Sequence, residues 1–123
     1  MFNKNQRFGI QGESLAVRYL KSAGYHIIQT NYRTKIGEID VIAKDADTIV
    51  FVEVKARSSA RFGSPKHAVT HRKMRTISKV ALYYLKITKQ TRVRARFDVV
   101  SINTAGKMPE IELVKNAFPL SYG

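Results

Sequence analysis

The spacing of apolar residues along the chain predicts two helices and five strands. Apolar side chains recur every three or four residues over 14–23 and 64–87, which is the period of a helix with one buried face. The first segment stops at Gly24, and the second begins at Ser64-Pro65, a capping hydroxyl followed by a proline suited to the first helical turn. Strand-like runs occupy 25–32, 36–43, 49–55, 94–102 and 110–115. The order α-β-β-β-α-β-β predicts an α/β fold with a central mixed β-sheet flanked by helices.

The second and third predicted strands carry acidic residues where a strand normally buries apolar side chains. Strand alternation places four charged residues on one face of this hairpin: Glu38, Asp40, Glu53 and Lys55. If residues 44–47 form the turn, Glu38 lies opposite Glu53, and Asp40 lies on the adjacent diagonal. A buried carboxylate without a partner is unfavourable, so this cluster needs a lysine or a metal ion beside it.

The charge balance makes this α/β domain a candidate nucleic-acid-binding protein. The chain has 22 Lys and Arg against nine acidic residues, a formal charge of +13 and a pI near 10.3. Such an excess, spread along the whole chain, is typical of a nucleic-acid partner. A ribosome-associated structural protein or a binder of anionic membrane surfaces would have the same charge, but neither explains acidic residues on the sheet.

Length and composition set the broader limits. A chain of 123 residues with 44% hydrophobic residues is expected to form one domain, spanning residues 1–123. It has no cysteine, which excludes disulfides and thiolate-bound metals. No apolar stretch suggests a signal peptide or a membrane span, so we expect a soluble cytoplasmic protein without membrane contact.

The spacing from Asp40 to Glu53-Val54-Lys55 is typical of a Mg²⁺-dependent nuclease. Mg²⁺ takes one or two carboxylates, keeps several waters and accepts a substrate phosphate. Asp40, Glu53 and the Val54 carbonyl are the predicted ligands for Mg²⁺ or Mn²⁺. Lys55 is predicted to orient the attacking water or to neutralise charge that develops on the phosphate. The alternative is a structural salt bridge of Lys55 with Glu38 or Glu53.

Further candidates surround this core. Glu13 lies on the inward stripe of the first helix and is predicted to reach the metal site; alternatively, it is a first-turn acid that complements the helix dipole. Glu38 is either a partner of Lys55 behind the ligands or an additional ligand. Six basic residues in the following loop and on the outer face of the second helix are predicted to contact DNA: Arg57, Arg61, Lys66, Arg72, Lys73 and Arg75.

Several motifs together resemble those of a known family. They are Gly12-Glu13 with Ala16, Asn31-Tyr32-Arg33, Gly37-Glu38-Ile39-Asp40, Phe51-Val52-Glu53-Val54-Lys55 and Arg96-Phe97-Asp98-Val99. Over residues 9–118 the chain resembles the YraN-type family of uncharacterised bacterial proteins, which is grouped with the restriction-endonuclease-like, or PD-(D/E)XK, superfamily and is similar to archaeal Holliday junction resolvases. The resemblance implies a restriction-endonuclease-like core in which Glu13, Asp40, Glu53 and Lys55 match the metal and catalytic positions. Many members of the superfamily have proline before the aspartate, whereas here Ile39 precedes Asp40.

The sequence therefore predicts a Mg²⁺-dependent endodeoxyribonuclease, a phosphodiester hydrolase acting on branched or damaged DNA. The competing interpretation is a nucleic-acid-binding module of the same fold that does not cleave. Symmetric cutting of a four-way junction requires two active sites, and so a homodimer. Four apolar residues near the C-terminus either contribute to that interface or close the core of their own chain: Ala117, Phe118, Leu120 and Tyr122.

Overall fold

The described residues contain two helices and five strands in the predicted order. The computed structural model describes residues 4–57 and 69–119, with side chains from residue 12 onward in the first helix. The elements are α1 (Lys4–Ser22), β1 (His26–Arg33), β2 (Glu38–Asp45), β3 (Thr48–Arg57), α2 (His71–Ile87), β4 (Ala95–Asn103) and β5 (Glu110–Phe118).

The five strands form one mixed sheet in the order β1-β2-β3-β4-β5. Strands β3 and β4 run parallel, and every other neighbouring pair is antiparallel. Helix α2 lies in the connection between the two parallel strands, as a parallel pair requires a crossover. This mixed sheet with two helices confirms the predicted α/β fold and is consistent with a restriction-endonuclease-like core.

Each face of the sheet has its own apolar core. On one face α2 packs on strand residues through an aromatic group in which Tyr84 lies edge-on to Phe51, with ring centroids 5.9 Å apart. On the other face α1 inserts Ala16 and Leu20 among the valines of the central strands. Because β3 contributes to both cores, its alternate residues are buried on opposite faces, which fixes its register and the direction of each side chain.

Both helices begin at residues other than those predicted. The segment 4–13 has no clear apolar stripe, yet α1 already begins at Lys4, so Glu13 lies well inside the helix. The alternative that Glu13 is a first-turn acid is therefore wrong. Helix α2 begins at His71, because Thr70 has an extended backbone and its side chain accepts a hydrogen bond from the Lys73 N–H. The predicted start at Ser64-Pro65 lies outside the described residues.

The β2–β3 hairpin is tighter than predicted. Asp45 pairs with Thr48, so the turn contains only Ala46 and Asp47, and Ala46 has φ +54°. The four-residue turn was wrong because the ladder continues through residues 44 and 45. The shorter turn shifts the register by two residues, and the ladder extends as far as Val41 opposite Val52. Beyond this pair, Asp40 accepts a hydrogen bond from the Val54 N–H, so Asp40, and not Glu38, is the acid of β2 that lies next to Glu53.

Strand β5 continues three residues beyond its predicted end. Phe118 is buried and stacks on Phe97, with ring centroids 4.8 Å apart, and Ala117 packs against the same core. The prediction that these two residues close their own core is confirmed, whereas Leu120 and Tyr122 lie outside the described residues. Within the described ranges, neither helix is long and apolar enough to cross a membrane.

Candidate metal site and nucleic-acid interface

Asp40 and Glu53 approach each other where β2 begins and β3 approaches its end. Asp40 Oδ2 accepts a hydrogen bond of 2.8 Å from the backbone N–H of Val54, the neighbour of Glu53. This bond joins β2 to β3 beyond Val41 and Val52, the last pair of the ladder, and fixes the direction of the carboxylate. Asp40 and Glu53 therefore lie near each other, through a register that differs from the predicted one, and the prediction that they share one cation stays a prediction.

Glu53 is buried on the face that α2 covers, and two lysines reach it. Its side chain is only 4% exposed. Lys73 on α2 places its Nζ 3.0 Å from Glu53 Oε1, and Lys55, two residues along β3, lies 3.8 Å from the same oxygen. The predicted salt bridge of Lys55 with Glu53 is therefore present, together with a closer one that was not predicted.

The surroundings of Asp40 and Glu53 disfavour the charged forms of both carboxyl groups. Burial raises the pKa of Glu53 to about 7, and the charge of Asp40 adds to this rise while Lys73 and Lys55 oppose it. Burial also raises the pKa of Asp40, although the Val54 N–H and Lys73 favour its charged form. Burial of the Lys73 ammonium disfavours its charge, but Glu53 and Asp40 outweigh this and raise the pKa of Lys73. Carboxyl groups with raised pKa values at the end of a sheet are typical of functional sites.

Glu13 approaches the same site from α1. Its Oε2 accepts a hydrogen bond of 3.4 Å from Asn31 of β1, where a positive φ of 52° marks an irregular residue in the strand. Burial raises the pKa of Glu13, and the charges of Asp40 and Glu38 add to this rise, while the hydrogen bond from Asn31 opposes it. Gly12 allows this approach, because a Cβ at that position would lie 3.0 Å from the Cβ of Ala56 on β3. That Glu13 reaches the metal site stays a prediction.

Glu38 has a different partner from the one predicted. It pairs across the strands with Arg33, whose Nε lies 3.0 Å from Glu38 Oε2, and both side chains are substantially exposed. Glu38 lines a shallow groove between the β1–β2 turn and the start of α2. Gly37 brings the turn this close, since a Cβ there would meet the methyl group of Thr76 at 2.5 Å.

The predicted DNA-contacting residues fall into three groups. Arg72, which is exposed, lines the groove beside Glu38, and Arg75 lies one turn along the same helix. Arg57 ends β3, while Arg61 and Lys66 lie outside the described residues. The prediction that Lys73 lies on the outer face of α2 is wrong, because it points at Glu53. Its spacing was a usable signal: Lys73 precedes buried Ile77 by four residues and Val80 by seven, which places it on the inward stripe.

The sequence of this site falls within a known family. The model of "Uncharacterised protein family UPF0102" matches residues 12–102. A UPF0102 protein of Desulfosudis oleivorans is 52% identical over 118 residues, which cover 96% of this chain and 94% of the relative. A UPF0102 protein of Geobacter metallireducens is also 52% identical over 118 residues, covering 96% and 97%. The chain belongs to the UPF0102 family. The resemblance to the YraN-type family is thereby confirmed.

More distant members match over the same extent. A UPF0102 protein of Caldicellulosiruptor saccharolyticus is 46% identical over 118 residues, covering 94% of this chain and 99% of the relative. The region matched by the UPF0102 model includes every residue placed at the candidate site: Glu13, Glu38, Asp40, Glu53, Lys55 and Lys73. The site therefore lies in the part of the chain that defines membership of the family.

The donor set fits an ion that retains much of its water. In the described ranges, no three His, Asp or Glu side chains form a ready-made cluster for a metal. Asp40 and Glu53 supply two carboxylates, and the Val54 carbonyl is adjacent in sequence. One or two carboxylates with waters and a substrate phosphate are what Mg²⁺ prefers, whereas a structural zinc site requires four protein ligands. The residues present therefore fit Mg²⁺ or Mn²⁺.

Proposed function

We propose that this UPF0102 protein is a metal-dependent endonuclease that acts on DNA, with branched or damaged structures as its substrates. The observation that carries the proposal is the Asp40–Glu53 pair, two carboxyl groups that approach from opposing strands with Lys55 beside them. Two carboxylates that repel each other in a largely buried site are expected where a cation binds.

In this proposal, each residue of the site has a separate role in phosphodiester hydrolysis. Asp40 and Glu53 would hold Mg²⁺ or Mn²⁺, which supplies Lewis acidity and a water of lowered pKa. The Val54 N–H keeps Asp40 oriented toward Glu53. Lys55 lies close enough to Glu53 to bond to the attacking water or to a phosphate oxygen as negative charge develops there. Glu13, which Asn31 holds on α1, would bond to waters around the ion.

The charge distribution supports nucleic acid as the substrate. The chain carries +13 formally, and the first turn of α2, next to the carboxylate pair, contains no acidic residue. Arg72 at the groove and Arg75 one turn later would contact phosphates on either side of the cleaved bond. Such contacts carry little sequence information, which suits recognition of DNA shape over base sequence.

A panel of DNA substrates tests the proposal directly. The purified protein is incubated with linear duplex, flap and four-way-junction DNA in Mg²⁺, in Mn²⁺ and in EDTA. We expect metal-dependent cleavage of at least one branched substrate, and its loss in Asp40→Asn with DNA binding preserved or tightened, because that change removes a phosphate-repelling charge. The Asp47→Asn variant is the matched control, since it makes the same change at an exposed position in the β2–β3 turn, at the opposite end of β2 from Asp40. Cleavage by Asp40→Asn at the parental rate would contradict the proposal.

A second function is favoured by one specific observation. The Lys73 ammonium already neutralises Glu53 at 3.0 Å, so the site is balanced without a metal. A protein in which this ion pair is permanent would bind nucleic acid without cutting it. Tight DNA binding without cleavage of any substrate in either metal would identify this binding module.

Junction cleavage adds a requirement on assembly. Symmetric cutting of a four-way junction needs two sites in fixed relation, which in this proposal come from two copies of the chain. Flap nicking needs only one. Sedimentation with and without junction DNA distinguishes the two cases: a monomer in both conditions excludes paired junction cleavage.

A further inference from the structure

Lys73 is the nearer of the two ammonium groups that neutralise Glu53. Its Nζ lies 3.0 Å from Glu53 Oε1, closer than the Lys55 Nζ at 3.8 Å. The two lysines also differ in how they are attached. Lys55 is on the same strand as Glu53, whereas Lys73 comes from the first turns of α2 and crosses to the sheet. A side chain from a separate element can leave without disturbing the hairpin that holds the carboxylates.

The local charges show why one ammonium has to move. Asp40 and Glu53 together carry two negative charges when ionised, and Lys55 and Lys73 balance them. Glu38 is already paired with Arg33. A divalent cation added among all four groups would lie close to two like charges in a partly buried site, where electrostatic interactions are weakly screened.

Lys73 has an alternative position available. Its side chain is 39% exposed, in contrast to the 4% of Glu53, so the ammonium can rotate outward into solvent. The groove beside it is open and lined by Arg72 and Thr70, where a phosphate would enter. Once released there, the ammonium is placed to pair with a phosphate oxygen.

We propose that Lys73 is an internal counter-ion of the metal site: it neutralises Glu53 in the metal-free protein and is displaced toward the substrate phosphate when a divalent ion binds. This inference rests on the proposed function. Lys73 is then a positioning residue that exchanges its ion pair with Glu53 for one with the substrate phosphate, and it is not a fixed structural contact.

Lysine acylation measures the displacement without relying on activity. The wild-type protein is treated briefly with an acetylating reagent at pH 8, with and without saturating Mn²⁺, and modification is quantified by mass spectrometry. We expect Mn²⁺ to increase the rate at Lys73 several-fold and to leave the exposed Lys79 on the same helix unchanged. In Asp40→Asn the increase at Lys73 is expected to disappear.

A pair of variants provides an independent measurement. Lys73→Met removes the counter-ion, and Lys79→Met makes the same charge change at an exposed position of the same helix. By calorimetric titration at pH 8, Lys73→Met is expected to bind Mn²⁺ at least about tenfold more tightly than the wild type, since one nearby positive charge is gone. Lys79→Met should match the wild type. If Lys73→Met fails to fold, the acylation of the wild-type protein still tests whether Mn²⁺ displaces Lys73.

The outcomes separate this inference from the proposed function. Binding of Mn²⁺ that depends on Asp40, with unchanged acylation at Lys73, would show that the lysine stays in place and would overturn the inference alone. Equal Mn²⁺ affinity in the two methionine variants would do the same. Absence of any Mn²⁺ binding that depends on Asp40 and Glu53 would overturn both.

Discussion

Two buried carboxylates, Glu53 on β3 and Asp98 on β4, lie one residue apart in register but on opposite faces of the sheet. Asp98 is fully buried and accepts hydrogen bonds from the Tyr25 hydroxyl at 2.7 Å, the Asn116 N–H at 2.9 Å and the Arg96 guanidinium at 3.0 Å. Glu53 is held by two ammonium groups and faces a second carboxyl group. Both residues are acids within apolar strands, but only Asp98 is surrounded by hydrogen-bond donors without a second carboxyl group facing it.

The difference teaches how to separate a structural carboxylate from a functional one. Asp98 is the centre of a network in which Arg96 also bridges to Asp45 at 2.7 Å, and Tyr25 is bonded to both Asp98 and Arg96. Each donor there has a defined acceptor, which is how a stable core accommodates charge. At Glu53 and Asp40 the two lysines balance the net charge, but burial raises the pKa of both carboxyl groups, and the charge of Asp40 raises the pKa of Glu53 further. In the proposed function, a divalent ion bound by both carboxylates would offset this cost.

The largest expected effect is on stability, at Asp98. Asp98→Ala leaves Arg96 and the Tyr25 hydroxyl without their buried acceptor and should lower the free energy of unfolding by about 3–5 kcal/mol. Asp98→Asn, which retains an acceptor oxygen, should lower it by less. Chemical denaturation of the three proteins measures the difference, and a loss below about 1 kcal/mol in the alanine variant would show that the network is not structural.

Substitution of Glu53, unlike that of Asp98, should leave the stability of the protein nearly unchanged. In EDTA, Glu53→Gln removes one of two mutually repelling acids, and the partly exposed Lys73 can turn to solvent. We therefore expect the free energy of unfolding to stay within about 1 kcal/mol of the wild type or to rise. In Mg²⁺, the same variant should lose cleavage. A large destabilisation, comparable to that of Asp98→Ala, would mean that Glu53 is structural and would remove the contrast.

Sequence reasoning was most successful where one periodic pattern decides the structure. The strands and their order follow from alternation, and Asp40 and Glu53 stand out as candidates because acids are rare on such strands. The hairpin register was missed because Lys44 and Asp45 are polar residues that look like part of a turn, although both continue the ladder. The partners of Asp98 were also missed, since Tyr25 and Arg96 reach it through tertiary contacts that no local pattern contains.

The pH dependence of stability should differ between wild type and Glu53→Gln. Glu53 titrates near pH 7 in the folded protein, above its ordinary value of 4.5, so the folded state keeps a proton that the unfolded state has lost. Its contribution to stability is fully present below about pH 4.5 and is lost as the pH rises through about 7. In EDTA, wild-type Tm should fall relative to Glu53→Gln between these values. Parallel Tm curves for the two proteins would contradict the raised pKa.

The smallest expected effect concerns binding at the two ends of the sheet. Arg72→Gln and Arg75→Gln, near Glu53, should each weaken DNA binding regardless of sequence and reduce the salt slope by about one. Arg94→Gln makes the same charge change beside the start of β4, at the far end from Lys55. It should leave the slope unchanged. An equal effect of all three variants would indicate that total charge, and not this interface, determines binding.

The central claim is that Asp40 and Glu53 together hold one divalent cation, while Asp98 holds none. Calorimetric titration of Mn²⁺ into the wild type, Asp40→Asn, Glu53→Gln and Asp98→Asn tests it most directly, with folding of each variant verified by circular dichroism. We predict a single Mn²⁺ per chain in the wild type and in Asp98→Asn, and loss of that binding in both Asp40→Asn and Glu53→Gln. Mn²⁺ binding that survives both of these substitutions, or is absent from the wild-type protein, would contradict the account.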